Sequence, residues 1–337
     1  MSEMRQDMIS KEWVIIAPER AKRPDQNHKP VDARPPIPEH RADCPFCRGN
    51  EDQTPTSLLS FPADGPWQTR VIANKFAALS HDEECCHVWT GKFLRVGGYG
   101  SADVVVECPR HDLSPALLQP AQVSRILEAW RLRYLALMDD PRNGLITIFR
   151  NHGPKAGTSL EHPHSQIIAT PVVPPNVRNQ IDQAVRSFDT YGTCLFCTML
   201  QEERDERVRI VLETEHFTAF CPFASRSPYE VRIFPRRHAC FYGAITPEEI
   251  VDLGVVLRTV LGKLHRHLNN PDYNLIVRSH PLESRANRHY HWYILIIPKL
   301  ATPAGFEIST GIYINSLKPE DAASILRDVA PSDIIPC

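Results

Sequence analysis

Apolar positions along the chain fall into two halves that read in the same order. Glu12 to Ala17 predicts a short strand, Val71 to Ala73 a second that leads into a turn, and Ala102 to Glu107 a third. Between Gln122 and Met138 apolar residues recur at helical spacing (Val123, Ile126, Leu127, Trp130, Tyr134, Leu135, Met138) and predict a helix. Leu145 to Phe149 predicts a strand, and so does Ser165 to Val173, stopped by Pro171 and by Pro174-Pro175. The second half repeats the order. Tyr229 to Phe234 predicts a strand, and Pro247 to His267 a helix with proline in its first turn. Leu275 to Val277 and His291 to Ile297 predict strands, and Pro319 to Ala330 a last helix. Strands that pair with neighbours plus one long helix per repeat predict an α+β fold with a mostly antiparallel sheet. The boundary falls between Pro175 and Cys194, giving domains 1–178 and 179–337.

Composition narrows the class. At 337 residues the chain is long enough for two domains or one fused double domain. A net charge of -2 offers no electrostatic footprint for nucleic acid. No run of eighteen apolar residues is present and the start lacks a signal-peptide pattern, so the expectation is a soluble cytoplasmic protein with no membrane partner. Thirty prolines exceed the usual share of about 5%. Many cluster between Pro24 and Pro66, which reads as extended loop that a bound metal would order.

The candidate chemistry is also duplicated. Cys44-Pro-Phe-Cys47, His111 and His162-Pro-His164 are followed by Cys194-Leu-Phe-Cys197, His238 and His289-Tyr-His291. The distance from His111 to His162 is 51 residues, as is that from His238 to His289. Two thiolates and two imidazoles form a closed tetrahedral zinc set. The expected ligands are therefore Cys44, Cys47, His111 and His162 in the first set, and Cys194, Cys197, His238 and His289 in the second. The expectation is two zinc ions per chain. A redox pair or plain packing is the other reading of each cysteine pair, although neither brings a fixed histidine partner along twice. Two complete sets leave little need for disulfides, which points to a reducing compartment. Cys85, Cys86, Cys108, Cys221, Cys240 and Cys337 read as packing or surface residues.

On a strand, His162, His164 and Gln166 share a face. With His162 clamped by metal, His164 is presented with little freedom, which suits a nucleophile. A neutral imidazole attacks phosphorus at physiological pH without a separate base, and Gln166 is placed to hydrogen-bond a phosphate oxygen. Aligned on its histidines, the second copy has Trp292 where Ser165 is and Tyr293 where Gln166 is. One repeat is expected to be catalytic and the other structural. A satisfied core histidine is the bland alternative for His164, and a non-catalytic nucleotide-binding protein the alternative for the whole chain.

With these residues in view, the chain resembles the galactose-1-phosphate uridylyltransferase branch of the histidine-triad superfamily over nearly its whole length. The resemblance rests on Trp13-Val-Ile-Ile-Ala-Pro-Glu-Arg20-Ala-Lys-Arg23-Pro, Cys44-Pro-Phe-Cys47, Asn74-Lys-Phe-Ala-Ala-Leu and Glu161-His-Pro-His-Ser-Gln166. It extends to Gly305-Phe-Glu-Ile-Ser-Thr-Gly-Ile-Tyr-Ile-Asn315 and Pro319-Glu-Asp-Ala-Ala. It implies tandem histidine-triad-like domains and a ping-pong reaction of galactose metabolism. His164 would attack the α-phosphorus of UDP-glucose, release glucose 1-phosphate and pass the uridylyl group to galactose 1-phosphate. It further implies Arg20, Arg23 and Asn74 near the nucleotide, and Asn151, Ser159 and Gln166 at the phosphates. Gly305, Phe306 and Glu307 would lie at the hexose, in an active site shared across a homodimer. Ser165, Lys75 and the second cysteine pair are similar to the adenylyl-transferring cousins of the ADP-glucose phosphorylase type, which makes adenylyl transfer or phosphorolysis of ADP-glucose the alternative.

Overall fold

The computed structural model describes residues 1–22, 36–282 and 287–335. The N-terminal segment forms β1 (Glu3–Gln6) and β2 (Trp13–Ile16). The first repeat supplies β3 (Ser57–Phe61), β4 (Thr69–Ala73), a separate hairpin of β5 (His87–Thr90) and β6 (Phe93–Val96), then β7 (Ser101–Val106), α1 (Pro120–Met138), β8 (Leu145–His152) and β9 (His164–Thr170). Two helices follow, α2 (Pro175–Tyr191) and α3 (Leu195–Glu206). The second repeat supplies β10 (Ile210–Glu213), β11 (Phe217–Phe220), β12 (Val231–Pro235), α4 (Pro247–His267), β13 (Tyr273–Arg278) and β14 (Tyr293–Pro298). The chain closes with α5 (Gly305–Thr310), β15 (Tyr313–Asn315) and α6 (Pro319–Asp328).

Both long helices form where the apolar spacing predicted them. α4 starts cleanly because Thr246 accepts the Glu249 N–H while the Glu249 carboxylate accepts the Thr246 N–H, with Pro247 at the first helical position. α2 and α3 occupy the stretch read as a boundary. Val177, Ile181, Ala184, Val185 and Phe188 of α2 recur at helical spacing, a period that the reading of this stretch as a boundary passed over.

The strands join in one ten-stranded sheet of order β10-β11-β12-β14-β13-β8-β9-β7-β4-β3, with every neighbouring pair antiparallel. Read outward from its centre, each half has the same order, as duplication requires. The halves meet where β8 pairs with β13, Tyr273 opposite His152 through Val277 opposite Ile148. One hydrophobic core spans this seam, combining Ile146, Ile148 and Ile167 with Leu275, Val277 and Ile294 under α1 and α4. Burying each such side chain contributes about 1.5–3 kcal/mol, so the two repeats are stabilised together. The helices cross closely at Gly254, where a Cβ would stand 2.1 Å from Ser124 Oγ and 2.9 Å from the Pro120 carbonyl.

The opposite face of the sheet carries two smaller clusters, one around Cys44, Phe46 and Cys47 and one around Cys194, Phe196 and Phe234. β1, β2 and β15 form a separate three-stranded sheet, with β2 parallel to β15. It binds the N-terminus to the second half through Arg232–Asp7 at 2.6 Å and Arg5–Glu320 at 2.8 Å. Among the described residues no helix is long and apolar enough to cross a membrane.

Candidate active site and metal centres

The first cysteine pair lies on a tight loop held by its own backbone. The Cys47 N–H donates to the Cys44 carbonyl at 3.2 Å, and Asn50 Nδ2 spans the carbonyls of Arg41, Ala42 and Cys44. β7 leads to His111, and the turn into β9 brings His162. All four candidate ligands are buried. Cys47 Sγ stands 3.5 Å from His111 Nδ1 and 3.6 Å from His162 Nδ1, and the two imidazole nitrogens are 3.3 Å apart. Zn–S bonds of about 2.3 Å and Zn–N bonds of about 2.0–2.1 Å at tetrahedral angles put sulfur about 3.5 Å from nitrogen and the nitrogens about 3.3 Å apart. The donor set therefore fits zinc. His162 Nε2–H donates to the Cys108 carbonyl at 2.8 Å, which fixes the tautomer that offers Nδ1 to a metal. Burial pushes the His162 pKa down to about 3 and the Cys44 thiol up to about 11, so the imidazole lone pair is available and the thiol must yield its proton to a metal.

The second cluster brings together three of the four expected ligands, and the ring that stands beside them is that of His291 rather than of His289. Cys194, Cys197 and His238 converge, with Cys197 Sγ 3.2 Å from His238 Nδ1. The next ring is that of His291, whose Nδ1 is 3.4 Å from Cys197 Sγ. His289 turns its ring edge-on to Phe188, at 4.8 Å between centroids, and meets the cluster only through its carbonyl, which accepts from the Cys194 thiol at 3.1 Å. His291 is thus the counterpart of His162. Matched in this way, Tyr293 replaces His164 and Leu295 replaces Gln166, two positions further along than the alignment by count. On this alignment the second repeat lacks both reactive groups, whereas the alignment by count keeps a histidine, His291, at the place of His164 and replaces only the glutamine. Its cluster is also more open, with Cys197 half-buried and His238 exposed.

His164 opens β9 with its Nδ1–H donated to the His162 carbonyl at 2.8 Å, which leaves Nε2 as the lone-pair nitrogen. Its ring packs edge-on to Phe46 at 5.4 Å. Burial lowers its pKa, so the ring is held neutral and nucleophilic. His164 lines a cavity of about 630 Å³ with Gln166, Ser159, Leu160, Asn74, Lys75, Phe76, Phe46 and Thr54. That volume lies within the roughly 300–1,000 Å³ range of small-molecule sites. The Phe76 N–H donates to Asn74 Oδ1 at 2.9 Å and fixes the turn at the cavity wall.

Ser165 points the other way. Its Oγ, on a residue with no exposed surface, accepts from Trp130 Nε1 at 2.7 Å beneath α1. The hydroxyl lies in the core and does not line the cavity.

The remaining expected residues are dispersed. Asn151 is half-buried on β8 and accepts from Asn274 Nδ2 at 2.8 Å. Arg20 follows β2, where the Ala17 N–H donates to the Asn315 carbonyl, so it lies with the small sheet. Gly305, Phe306 and Glu307 form the first turn of the exposed helix α5, with Glu307 Oε2 accepting from the Ala304 N–H at 3.0 Å. Asn151, Arg20 and these three residues do not line the cavity. Arg23 lies outside the described residues. Reasoning from sequence missed Phe46 and Thr54 on the cavity wall. The only available signal for Phe46 was its place between two ligands.

Comparison with known proteins agrees with this geometry. Residues 1–174 match the family model described as "Galactose-1-phosphate uridyl transferase, N-terminal domain", and residues 137–330 match one described as "Domain of unknown function (DUF4921)". The ADP-glucose phosphorylase of Arabidopsis thaliana is 35% identical over 97% of this chain and 93% of its own. The galactose-1-phosphate uridylyltransferase of Thermotoga maritima is 29% identical over 97% and 98%. The crystal structure of the Arabidopsis phosphorylase with bound ADP-glucose superposes with a TM-score of 0.84 at 33% identity, covering 98% of this chain and 99% of that one. A uridylyltransferase structure superposes with a TM-score of 0.76 at 26% identity, covering 97% of each chain.

Proposed function

The chain belongs to the galactose-1-phosphate uridylyltransferase family, and from that premise we propose that it transfers a uridylyl group from UDP-glucose to galactose 1-phosphate through His164. The observation that carries the reading is the buried His164, with Nδ1 tied to a carbonyl and its ring on the wall of a nucleotide-sized cavity. The Nε2 lone pair attacks the α-phosphorus, and the bond to the bridging oxygen breaks. Glucose 1-phosphate leaves with that electron pair, and a phosphoramidate remains on Nε2. Galactose 1-phosphate reverses the step, its phosphate oxygen displacing the histidine. Gln166 and Ser159 donate to the phosphate oxygens as charge spreads over them.

Two zinc ions would be structural, the first held by Cys44, Cys47, His111 and His162, the second by Cys194, Cys197, His238 and His291. Residues 1–178 would carry the chemistry and 179–337 the scaffold. A homodimer would bring Arg20 and the exposed Gly305–Glu307 turn of a second copy to the cavity. Thiols kept reduced for metal fit the cytoplasm.

Adenylyl transfer from ADP-glucose is a second reading, favoured by the higher identity to the Arabidopsis phosphorylase, 35% against 29% for the Thermotoga uridylyltransferase. One half-reaction separates the two. UDP-glucose and ADP-glucose are presented separately, and glucose 1-phosphate release is measured per active site. A burst with UDP-glucose is expected. A burst with ADP-glucose alone overturns the choice of nucleotide, and no burst with either overturns transfer through His164.

A further inference from the structure

Asn274 belongs to β13, in the repeat that carries no nucleophile, yet it reaches the chemistry across the seam. On the face of the sheet that bears His164, the register aligns one row of residues. Val106 pairs with His164, and Asn151 pairs with Asn274. The β8–β9 register that sets Phe149 opposite Gln166 runs on to set Asn151 opposite His164. Adjacent strands are about 4.8 Å apart, so Asn151 stands between His164 and Asn274.

The orientation of both carboxamides follows from one backbone group. The Ala156 carbonyl can only accept, and Asn274 meets it at 2.9 Å, so the atom of Asn274 that points there is Nδ2. The same Nδ2 lies 2.8 Å from Asn151, which must therefore present Oδ1. With Oδ1 drawn toward β13, the Nδ2–H groups of Asn151 turn toward β9 and His164. The turn that leads into β13 holds the end of β8 and the loop after it, since Asp272 accepts the Lys155 N–H and Asn270 Oδ1 lies 2.7 Å from His152 Nε2.

We propose that Asn274 is a positioning residue for nucleotidyl transfer, fixing the Asn151 carboxamide with its N–H donors facing the phosphate attacked by His164. This rests on the transfer reading above. Asn151 is then the group that touches phosphate, and Asn274 acts only through it. The second repeat contributes to rate across the β8–β13 pair as well as to stability.

The test is single-turnover formation of nucleotidyl-His164 by the zinc-loaded full chain, with UDP-glucose and ADP-glucose as the probes. It compares wild type, Asn151→Ala, Asn274→Ala, the double variant and Asn274→Asp. Loss of one preorganised donor is expected to slow the step about 100-fold in Asn151→Ala, and about 10-fold in Asn274→Ala, where the amide is free to turn. The double variant should match Asn151→Ala within about twofold, because a residue acting through another adds nothing once that other is gone. Asn274→Asp should be slower than Asn274→Ala, since a carboxylate can only accept and turns the Asn151 amide around. Effects that multiply in the double variant overturn the proposal, as does Asn274→Ala at the wild-type rate. If Asn274→Asp does not fold, the alanine cycle decides alone. Nucleotidyl-enzyme absent from wild type overturns the transfer reading and this proposal together, whereas a labelled wild type with multiplying effects overturns this proposal only.

Discussion

Ser165→Ala isolates what the residue next to the nucleophile does. Its Oγ accepts the Trp130 indole N–H at 2.7 Å, and both residues are almost wholly buried. Removing the oxygen leaves a buried donor with no acceptor, at a cost of about 1–3 kcal/mol. For 337 residues unfolding with about 2.1 cal/mol/K each, a cost of about 2 kcal/mol lowers Tm by about 3 °C. Trp130→Phe strands the hydroxyl instead, so the double variant should cost less than the sum, with a coupling energy of about 1–2 kcal/mol. The same reasoning predicts no change in substrate preference. The ratio of half-reaction rates with UDP-glucose and ADP-glucose should stay within about twofold of wild type, a difference of about 0.4 kcal/mol. Thermal unfolding of the zinc-loaded variants and the two half-reactions are the assays. A tenfold change in that ratio, or a double variant whose cost equals the sum, refutes the argument that Ser165 serves the core.

His164→Asn should fold, keep its metal and form no nucleotidyl-enzyme, which metal analysis beside a labelling assay checks. Protein purified without added metal should contain close to two zinc equivalents. His291→Ala should lose one of them while His289→Ala retains both, and the opposite result would return the fourth ligand to His289. Asp7 sits against Arg232; burial pushes its pKa up, but Arg232 and Ser10 outweigh this and hold it below the ordinary value. A carboxylate with a lowered folded pKa stabilises above its unfolded value of about 3.9, and that contribution is lost as pH falls through the folded pKa. Asp7→Asn should therefore cost about 1–3 kcal/mol near neutral pH, because buried Arg232 loses its 2.6 Å partner and keeps only the Glu230 carboxylate at 3.6 Å. It should also flatten the acid limb of Tm against pH, and an unchanged limb would show that the pair does not govern it.

The sequence by itself determined the local elements and the chemistry they carry. A helix with a buried stripe at 3.6-residue spacing, such as Pro120–Met138 or Pro247–His267, writes its period into the chain, and so does a strand that delivers Pro109-Arg-His111. The Cys-x-x-Cys pairs, the His-x-His motifs and the duplication were legible because they are patterns of residue type and order. Tertiary structure alone decided what depends on distance across the chain. Equal counting chose His289, but register and the path into β14 bring His291 to the cysteines. Adjacent positions on a strand face opposite sides, so Ser165 faces the core beside a His164 that faces the cavity. Arg20 and the Gly305–Glu307 turn were expected at the substrate, yet Arg20 follows β2 and the turn opens α5 ahead of β15, and neither lines the cavity of the same chain. The junction of β8 with β13 sets Asn274 in line with His164, although the two are 110 residues apart by their numbers in the chain. Dihedral preference and spacing act over a few residues, whereas pairing, register and burial are settled only when distant strands meet.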